Sequence, residues 1–349
     1  MTSLKSKTAP ALGAQDGHRV DTAGRMGRVV VVLGTGGTIA GASSTPGDVV
    51  GYQAAQRGVA QLLGVLGPYA AAALPADLQI EAEQVAQVDS KDMSHAVWRR
   101  LAERAEAHLA RPEVSGVVVT HGTDTLEETA YLLHRVLAPT KPLVMTAAMR
   151  PADALMSDGP QNLLDAIGLA ASGAPQGLGG VLLAIGGRVW AGAELRKVHP
   201  YRLDAFNAGD AGPLAHIEQG GLRRLRSWPP QDGGVSALGL AVLAADIWPE
   251  VQIVTSHAGA DGRIVELLLD AGVQGLVVAC TGNGSIHQDL LTTLLRAQQQ
   301  GVLVLRALRH GEGRIVPGAA SVLPDAGGLT PAQARVELLL RLLDRRGGG

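Results

Sequence analysis

The sequence predicts an α/β protein: a larger amino-terminal domain built on a parallel, Rossmann-like sheet, and a smaller carboxyl-terminal α/β domain. Three observations carry this. Short apolar runs alternate with helical patterns, as strands alternate with crossover helices in a parallel sheet. The 349 residues exceed the about 100–200 of one ordinary domain. A stretch with paired prolines and several glycines, QGGLRRLRSWPPQDGG from Gln219, interrupts the rhythm.

Taken in order, residues 1–27 mix polar residues with Gly and Ala and are expected to be a disordered leader. The first strand is RVVVVLG from Arg28, and a second begins near Leu78 and runs into the polar turn VDSKDM. MSHAVWRRLAERAEAHLA from Met93 has helical periodicity, VSGVVVT from Val114 is the third strand, and TLEETAYLLHRVL from Thr125 is a helix. PLVMTA from Pro142 and GVLLAIGG from Gly180 are further strands. Runs so continuously apolar belong to strands covered on both faces. Residues 28–218 are thus expected to form the larger domain, 219–236 a solvated linker whose basic cluster carries no ligand, and 237–349 the second domain. There the alternation resumes with EVQIVTSHAGA, DGRIVELLLDAG, QGLVVACTGNGS, QDLLTTLLRAQQQG and VLVLRALRHGEG, and ends in a helix from about Pro331 to Arg345.

Composition narrows the function. Aromatic residues make up 3% of the chain, with a single Phe, so bases or sugars have few stacking platforms. A net charge of −2 gives no bias toward phosphate backbones or anionic lipid, and a small-molecule partner is expected rather than nucleic acid or membrane. The single cysteine, Cys280 in LVVACTG, excludes an intrachain disulfide and a cysteine-based zinc cluster, and its apolar setting predicts burial. His95, His134 and His257 lack ligand spacing and are expected in packing or surface roles; no metal or cofactor is called for. No apolar run suits a signal peptide or a membrane span, which leads to the expectation of a cytoplasmic protein.

In open parallel sheets, ligands bind beyond the carboxyl ends of strands, so the turns after the apolar runs hold the candidate site. The first, LGTGGTIAG from Leu33 to Gly41, combines glycines that permit close backbone approach with the hydroxyls of Thr35 and Thr38. It lacks the third glycine of a dinucleotide fingerprint and the lysine of a phosphate loop. The third strand ends in THGTDTLEETA, which puts Thr123 and Asp124 at the same edge; Asp124 offers a carboxylate to a substrate ammonium group. VDSKDM adds Ser90 and Lys91. A plainer reading stands beside each: Thr38 as a helix cap, and Thr123 or Asp124 as an N-cap supported by Glu127.

TGGTIAG, THGTDTLEETAYLL, AMRP and SDGPQNLLDA, in that order, resemble the signatures of the bacterial-type L-asparaginase (asparaginase/glutaminase) family. The resemblance implies a threonine nucleophile at Thr38, assisted by Tyr52, with Thr123, Asp124 and Lys197 completing the catalytic set and Ser90 receiving the substrate's α-carboxylate. It implies hydrolysis of L-asparagine through an acyl-enzyme without a cofactor, in a homo-oligomer, a dimer or tetramer. With Ser90, the residues Lys91, Thr123 and Asp124 are expected to bind the substrate; Lys91 stands where some relatives carry glutamine, where its cation either strengthens the α-carboxylate contact or points to solvent. Gly259 stands where better-known relatives carry an asparagine that reaches a neighbouring subunit; Glu312 is the nearest counterpart of a late acidic residue. Glutaminase-asparaginase activity is one alternative. Others are the ammonia-supplying subunit of a tRNA-dependent amidotransferase and a non-catalytic amino-acid-binding module.

Overall fold

A computed structural model describes residues 28–43, 45, 48, 51–172, 180–228, 237–316, 318 and 322–347; the expected leader 1–27 and residues 229–236 of the expected linker lie outside them. The first domain contains β1 (Arg28–Gly36), α1 (Val59–Ala73), β2 (Leu78–Val88), α2 (His95–Leu109), β3 (Val114–Thr120), α3 (Leu126–Leu137), β4 (Leu143–Thr146), α4 (Gly159–Ala171) and β5 (Val181–Ile185). Its five strands lie side by side in the order β2-β1-β3-β4-β5, all parallel. Alternation along β1 accounts for its unbroken apolar run. Val29, Val31 and Leu33 pack on one face with Trp98, Leu101 and Leu132, while Val30 and Val32 pack on the other with Leu62, Leu66 and Ile167.

Beyond β5 the chain changes direction. β6 (Arg188–Ala191), β9 (Ala215–Glu218) and β10 (Gly221–Arg224) extend the same sheet antiparallel to eight strands, and between them β7 (Arg196–Lys197) and β8 (Phe206–Asn207) form a two-residue ribbon outside it. Part of the expected linker is therefore sheet. Gly221–Arg224 pair with Ala215–Glu218, every residue of β10 is exposed, and Arg223 grips Glu218 across the pair. An outer edge strand with no face on the core has the composition of a loop, which is why it reads as one.

The second domain is a three-stranded parallel sheet of β11 (Val251–Thr255), β12 (Gly275–Cys280) and β13 (Leu303–Leu308), with α5 (Arg263–Asp270), α6 (Gln288–Gln299) and α7 (Pro331–Gly347). Cys280 is buried, and burial pushes its thiol up to about 11. α7 lies against α3 of the first domain, and Leu338, Leu339 and Leu340 belong to the same apolar cluster as Leu132 and Leu133. His95 stacks on Trp248 with ring centroids 4.2 Å apart.

The strand order places the site. β1 connects outward to β2, and the chain then returns past β1 to β3, so the winding direction reverses between β1 and β3. Their carboxyl ends open the crevice in which α/β sheets of this kind hold ligands.

Candidate active site

Three turns meet in that crevice, and glycines allow them to touch. Gly37 has φ +79, and a Cβ there would stand 2.3 Å from the Cα and N of Gly122; a Cβ on Gly122 would stand 2.4 Å from Ser90 Oγ. The turns after β1 and β3 are thereby stacked backbone on backbone, and the Ser90 side chain of the turn after β2 packs on Gly122. Thr38 opens a single 3-10 turn, Thr38–Ala40, and is 8% exposed. It caps nothing through its side chain. Its Oγ1 instead lies 2.6 Å from the Tyr52 hydroxyl. Tyr52 is brought back to the turn because Ala42 and Gln53 exchange backbone hydrogen bonds and the Gln56 and Arg57 N–H groups both donate to Ala40 O. Burial raises the Tyr52 phenol above its ordinary pKa against the pull of the Thr38 bond, and Asp89 and Asp124 push the same way. At neutral pH the phenol keeps its proton.

The second group forms around Lys197, delivered by the short β7. Its Nζ donates to Thr123 Oγ1 at 2.9 Å and to Asp124 Oδ1 at 2.6 Å. The N-cap of α3 is Thr125, without a side-chain capping bond, so neither Thr123 nor Asp124 is spent on the helix start, and the Glu127 carboxylate goes to the backbone N–H of Lys197 at 2.8 Å. Ser90 is 1% exposed; its Oγ accepts from Asp124 N at 3.1 Å, which leaves the hydroxyl proton free for another acceptor. The Thr125 hydroxyl donates to Ser90 O at 2.8 Å and ties the two turns together.

Lys91 stands apart from this group. Its side chain is 61% exposed and its ammonium pairs with Asp92 and, at 3.8 Å, with Asp89; the Asp92 bond raises its pKa. Glu312 and Gly259 lie on exposed turns that follow β13 and β11.

Three supporting residues escape a motif reading. His121, inside the THGTD run, is fully buried, with Nδ1 2.7 Å from Gly122 O and Nε2 3.0 Å from Thr129 Oγ1. A carbonyl only accepts, so Nδ1 carries the hydrogen; Trp98 Nε1 donates to the same Thr129 oxygen at 2.8 Å, and the Thr129 hydroxyl then donates to Nε2. The imidazole is neutral, and burial pushes its pKa down to about 4. Asp158 accepts from the Met149 and Arg150 N–H groups at 3.0 Å, and Asn162 donates to Ala147 O at 2.9 Å, which explains why AMRP and SDGPQN occur together. Only His121 directly follows an apolar strand run; Asp158 and Asn162 lie at the start of α4, where no periodicity marks them.

Comparison with known proteins identifies the family of the whole chain. Residues 29–229 match the family model "Asparaginase, N-terminal", and residues 250–346 match "Glutaminase/Asparaginase C-terminal domain". The chain is 33% identical to L-asparaginase 2 of Escherichia coli (strain K12), over 90% of this chain and 88% of that one. It is 31% identical to the glutaminase-asparaginase of Pseudomonas fluorescens biotype A, over 90% and 86%. Among solved structures, a probable cytoplasmic L-asparaginase from Campylobacter jejuni superposes with a TM-score of 0.82 at 31% identity, covering 90% of this chain and 95% of that one. Matched in both halves by the family's models, and along nine-tenths of its length by its members, this chain belongs to the asparaginase family.

Proposed function

We propose that the protein is an amidohydrolase that converts L-asparagine to L-aspartate and ammonia through an acyl-enzyme on Thr38, with catalysis in the larger domain, residues 28–218. The observation that carries this reading is the pairing of two threonine hydroxyls at one sheet edge, each with its own proton partner: Thr38 with Tyr52 at 2.6 Å and Thr123 with Lys197 at 2.9 Å. An amide needs a nucleophile relieved of its proton and a route for that proton to the leaving nitrogen. Thr38 Oγ1 attacks the side-chain carbonyl carbon, its proton moves through the Tyr52 hydroxyl, and the C–N bond breaks as the nitrogen takes up a proton and leaves as ammonia. Water, aligned by the Thr123 hydroxyl that the Lys197 ammonium polarises, then attacks the resulting ester; its proton passes through the Tyr52 hydroxyl to Thr38 Oγ1 as the ester C–O bond breaks, and aspartate departs with Thr38 restored. Asp124 meets the substrate's ammonium group, and the free Ser90 proton meets its α-carboxylate. Lys91 contributes a cation near the Ser90 turn without entering the reacting group.

Relatives named for asparagine alone and for both amides favour a second reading, glutaminase-asparaginase. Substrate choice then rests on one methylene, about 1–3 kcal/mol in a fitted pocket. An ammonia-release assay on both amides separates the readings; equal kcat/KM supports the broader one. Thr38→Ala and Thr123→Ala are expected to keep the fold by circular dichroism and each to lose at least about 100-fold in kcat. Near-wild-type turnover in either removes the assignment. The proposal includes a homo-oligomer, dimer or tetramer, supported by Leu155 and Met156, 97% and 70% exposed in the loop tied to the Thr38 turn through Ala152 N and Gly41 O. Sedimentation tests it, and a fully active monomer opposes it. It also includes a cytoplasmic location, to be tested by cell fractionation.

A further inference from the structure

We propose that Glu127 is a positioning residue for Lys197: it holds the lysine's backbone from the same helix start that receives its ammonium, and it does so under the brace of the second domain. The inference rests on the catalytic reading given above for Lys197. β7 is only two residues long and lies outside the main sheet, so the sheet does not fix Lys197. Val198 N donates to Ala205 O at 2.8 Å, and Lys197 faces Phe206 in the antiparallel register, which turns the Lys197 N–H away from β8. That donor would be orphaned without Glu127 Oε2 at 2.8 Å. Glu127 follows Asp124 by three residues, so one turn of chain holds Lys197 at two points, the backbone N–H by Glu127 and the ammonium by Thr123 and Asp124.

The far side of Glu127 belongs to the other domain. Thr330, at the start of α7, lines the same cavity as Glu127, and Gln333 Nε2 donates to Leu195 O at 2.8 Å, just ahead of β7. The residues around Glu127 line a cavity of about 180 Å³ between the domains, with Arg196 and Lys197 on one wall and Arg309, His310 and Thr330 on the other. Charged groups around the carboxyl are Arg196 and Lys197 of β7, Glu128 of its own helix, and Arg309 and His310 after β13; Glu128 in turn pairs with Arg335 of α7 at 3.7 Å. Burial pushes the Glu127 carboxyl up to about 7, so the charge that grips the Lys197 N–H is only partly present at neutral pH and is complete above it.

Three proteins test this: the full-length wild type, Glu127→Gln, which keeps an acceptor oxygen without a charge, and Glu127→Ala, which keeps neither. Expected for Glu127→Ala is a fall of about tenfold or more in kcat with KM within about threefold, since the Ser90 and Asp124 contacts are untouched. For Glu127→Gln, kcat at pH 8 is expected within about threefold of wild type, because the acceptor oxygen for the Lys197 N–H is kept. An independent readout is the titration of Lys197 followed by NMR of ε-13C-lysine protein, in a chain whose lysines are Lys5, Lys7, Lys91, Lys141 and Lys197. The Lys197 signal is expected to shift in Glu127→Ala and to stay in place in Glu127→Gln. A wild-type kcat in Glu127→Ala, an equal fall in the two variants, or an unmoved Lys197 signal in Glu127→Ala overturns the inference. Should the wild type hydrolyse neither amide, the functional reading fails, while the lysine titration still decides the positioning.

Discussion

Tyr52 illustrates how a single side chain serves by keeping its proton. Burial and the nearby Asp89 and Asp124 carboxylates raise its pKa, so a standing phenolate at Tyr52 is disfavoured. In the proposed reaction the phenol, 2.6 Å from Thr38 Oγ1, instead acts as a relay that takes one proton as it yields another. Tyr52→Phe removes the relay and keeps the ring, whose Cδ2 already packs near Gly41. The expected outcome is a loss of about 100-fold or more in kcat, the lower end of what one proton-transfer group contributes, with KM little changed. Steady-state ammonia release checks it, and a fall confined to KM assigns Tyr52 to binding instead. Ser90 shows the complementary logic: a backbone N–H donates to its oxygen, and its hydroxyl hydrogen stays free for another acceptor.

At the scale of elements, the start of α3 carries two buried titratable groups whose effects on stability oppose each other. The folded pKa of His121 is about 4 against an ordinary 6.5, so the unfolded chain binds the proton first; this contribution is full above pH 6.5 and is lost as pH falls toward 4. The folded pKa of Glu127 is about 7 against 4.5, so the native state binds more protons, and this contribution is full below 4.5 and is lost as pH rises through 7. Each change is worth about 3 kcal/mol, from 1.36 kcal/mol per pKa unit. Between pH 4.5 and 6.5 the slopes cancel. Glu127→Gln removes one of them, so its stability relative to wild type is expected to rise by about 3 kcal/mol between pH 4.5 and 7.5, measured by urea denaturation at each pH. A pH-independent difference would mean that Glu127 keeps an ordinary pKa in the folded protein. The same helix start shows what the sequence made legible. β1 and β3 are apolar on both faces and announced themselves, and the polar turns after them marked the crevice. Lys197 did not follow from periodicity, because β7 is too short to show any, and its place in the site came only from the family's pattern. α1 contains Pro68 and Gly64 and β10 has no buried residue, so neither carries the alternation on which a sequence reading depends.

For the whole molecule, the question is what makes two sheets act as one enzyme. α7 answers it with a buried ion pair and a brace. Glu337 accepts from Arg135 Nε at 2.8 Å, from the Tyr131 hydroxyl at 2.9 Å and from Arg341 Nε at 2.8 Å, and the Arg135 and Glu337 side chains are 9% and 7% exposed. Burial works to raise the Glu337 carboxyl, and the two guanidiniums outweigh it and hold it below the usual range. Removing one partner strands the other charge in an apolar setting, which costs about 3–5 kcal/mol, whereas replacing the set with apolar side chains of similar volume is often neutral. Glu337→Ala is therefore expected to lose about 3–5 kcal/mol in urea denaturation, and the combined Tyr131→Phe, Arg135→Met and Glu337→Leu protein to regain most of it. Because Gln333 on the first turn of α7 holds Leu195 O, a loosened α7 also frees the segment that carries Lys197. The single variant should lose kcat along with stability, and the triple variant should recover both together. Recovery of stability without kcat would mean that the ion pair itself, rather than the seating of α7, sets the position of Lys197 across the domain boundary.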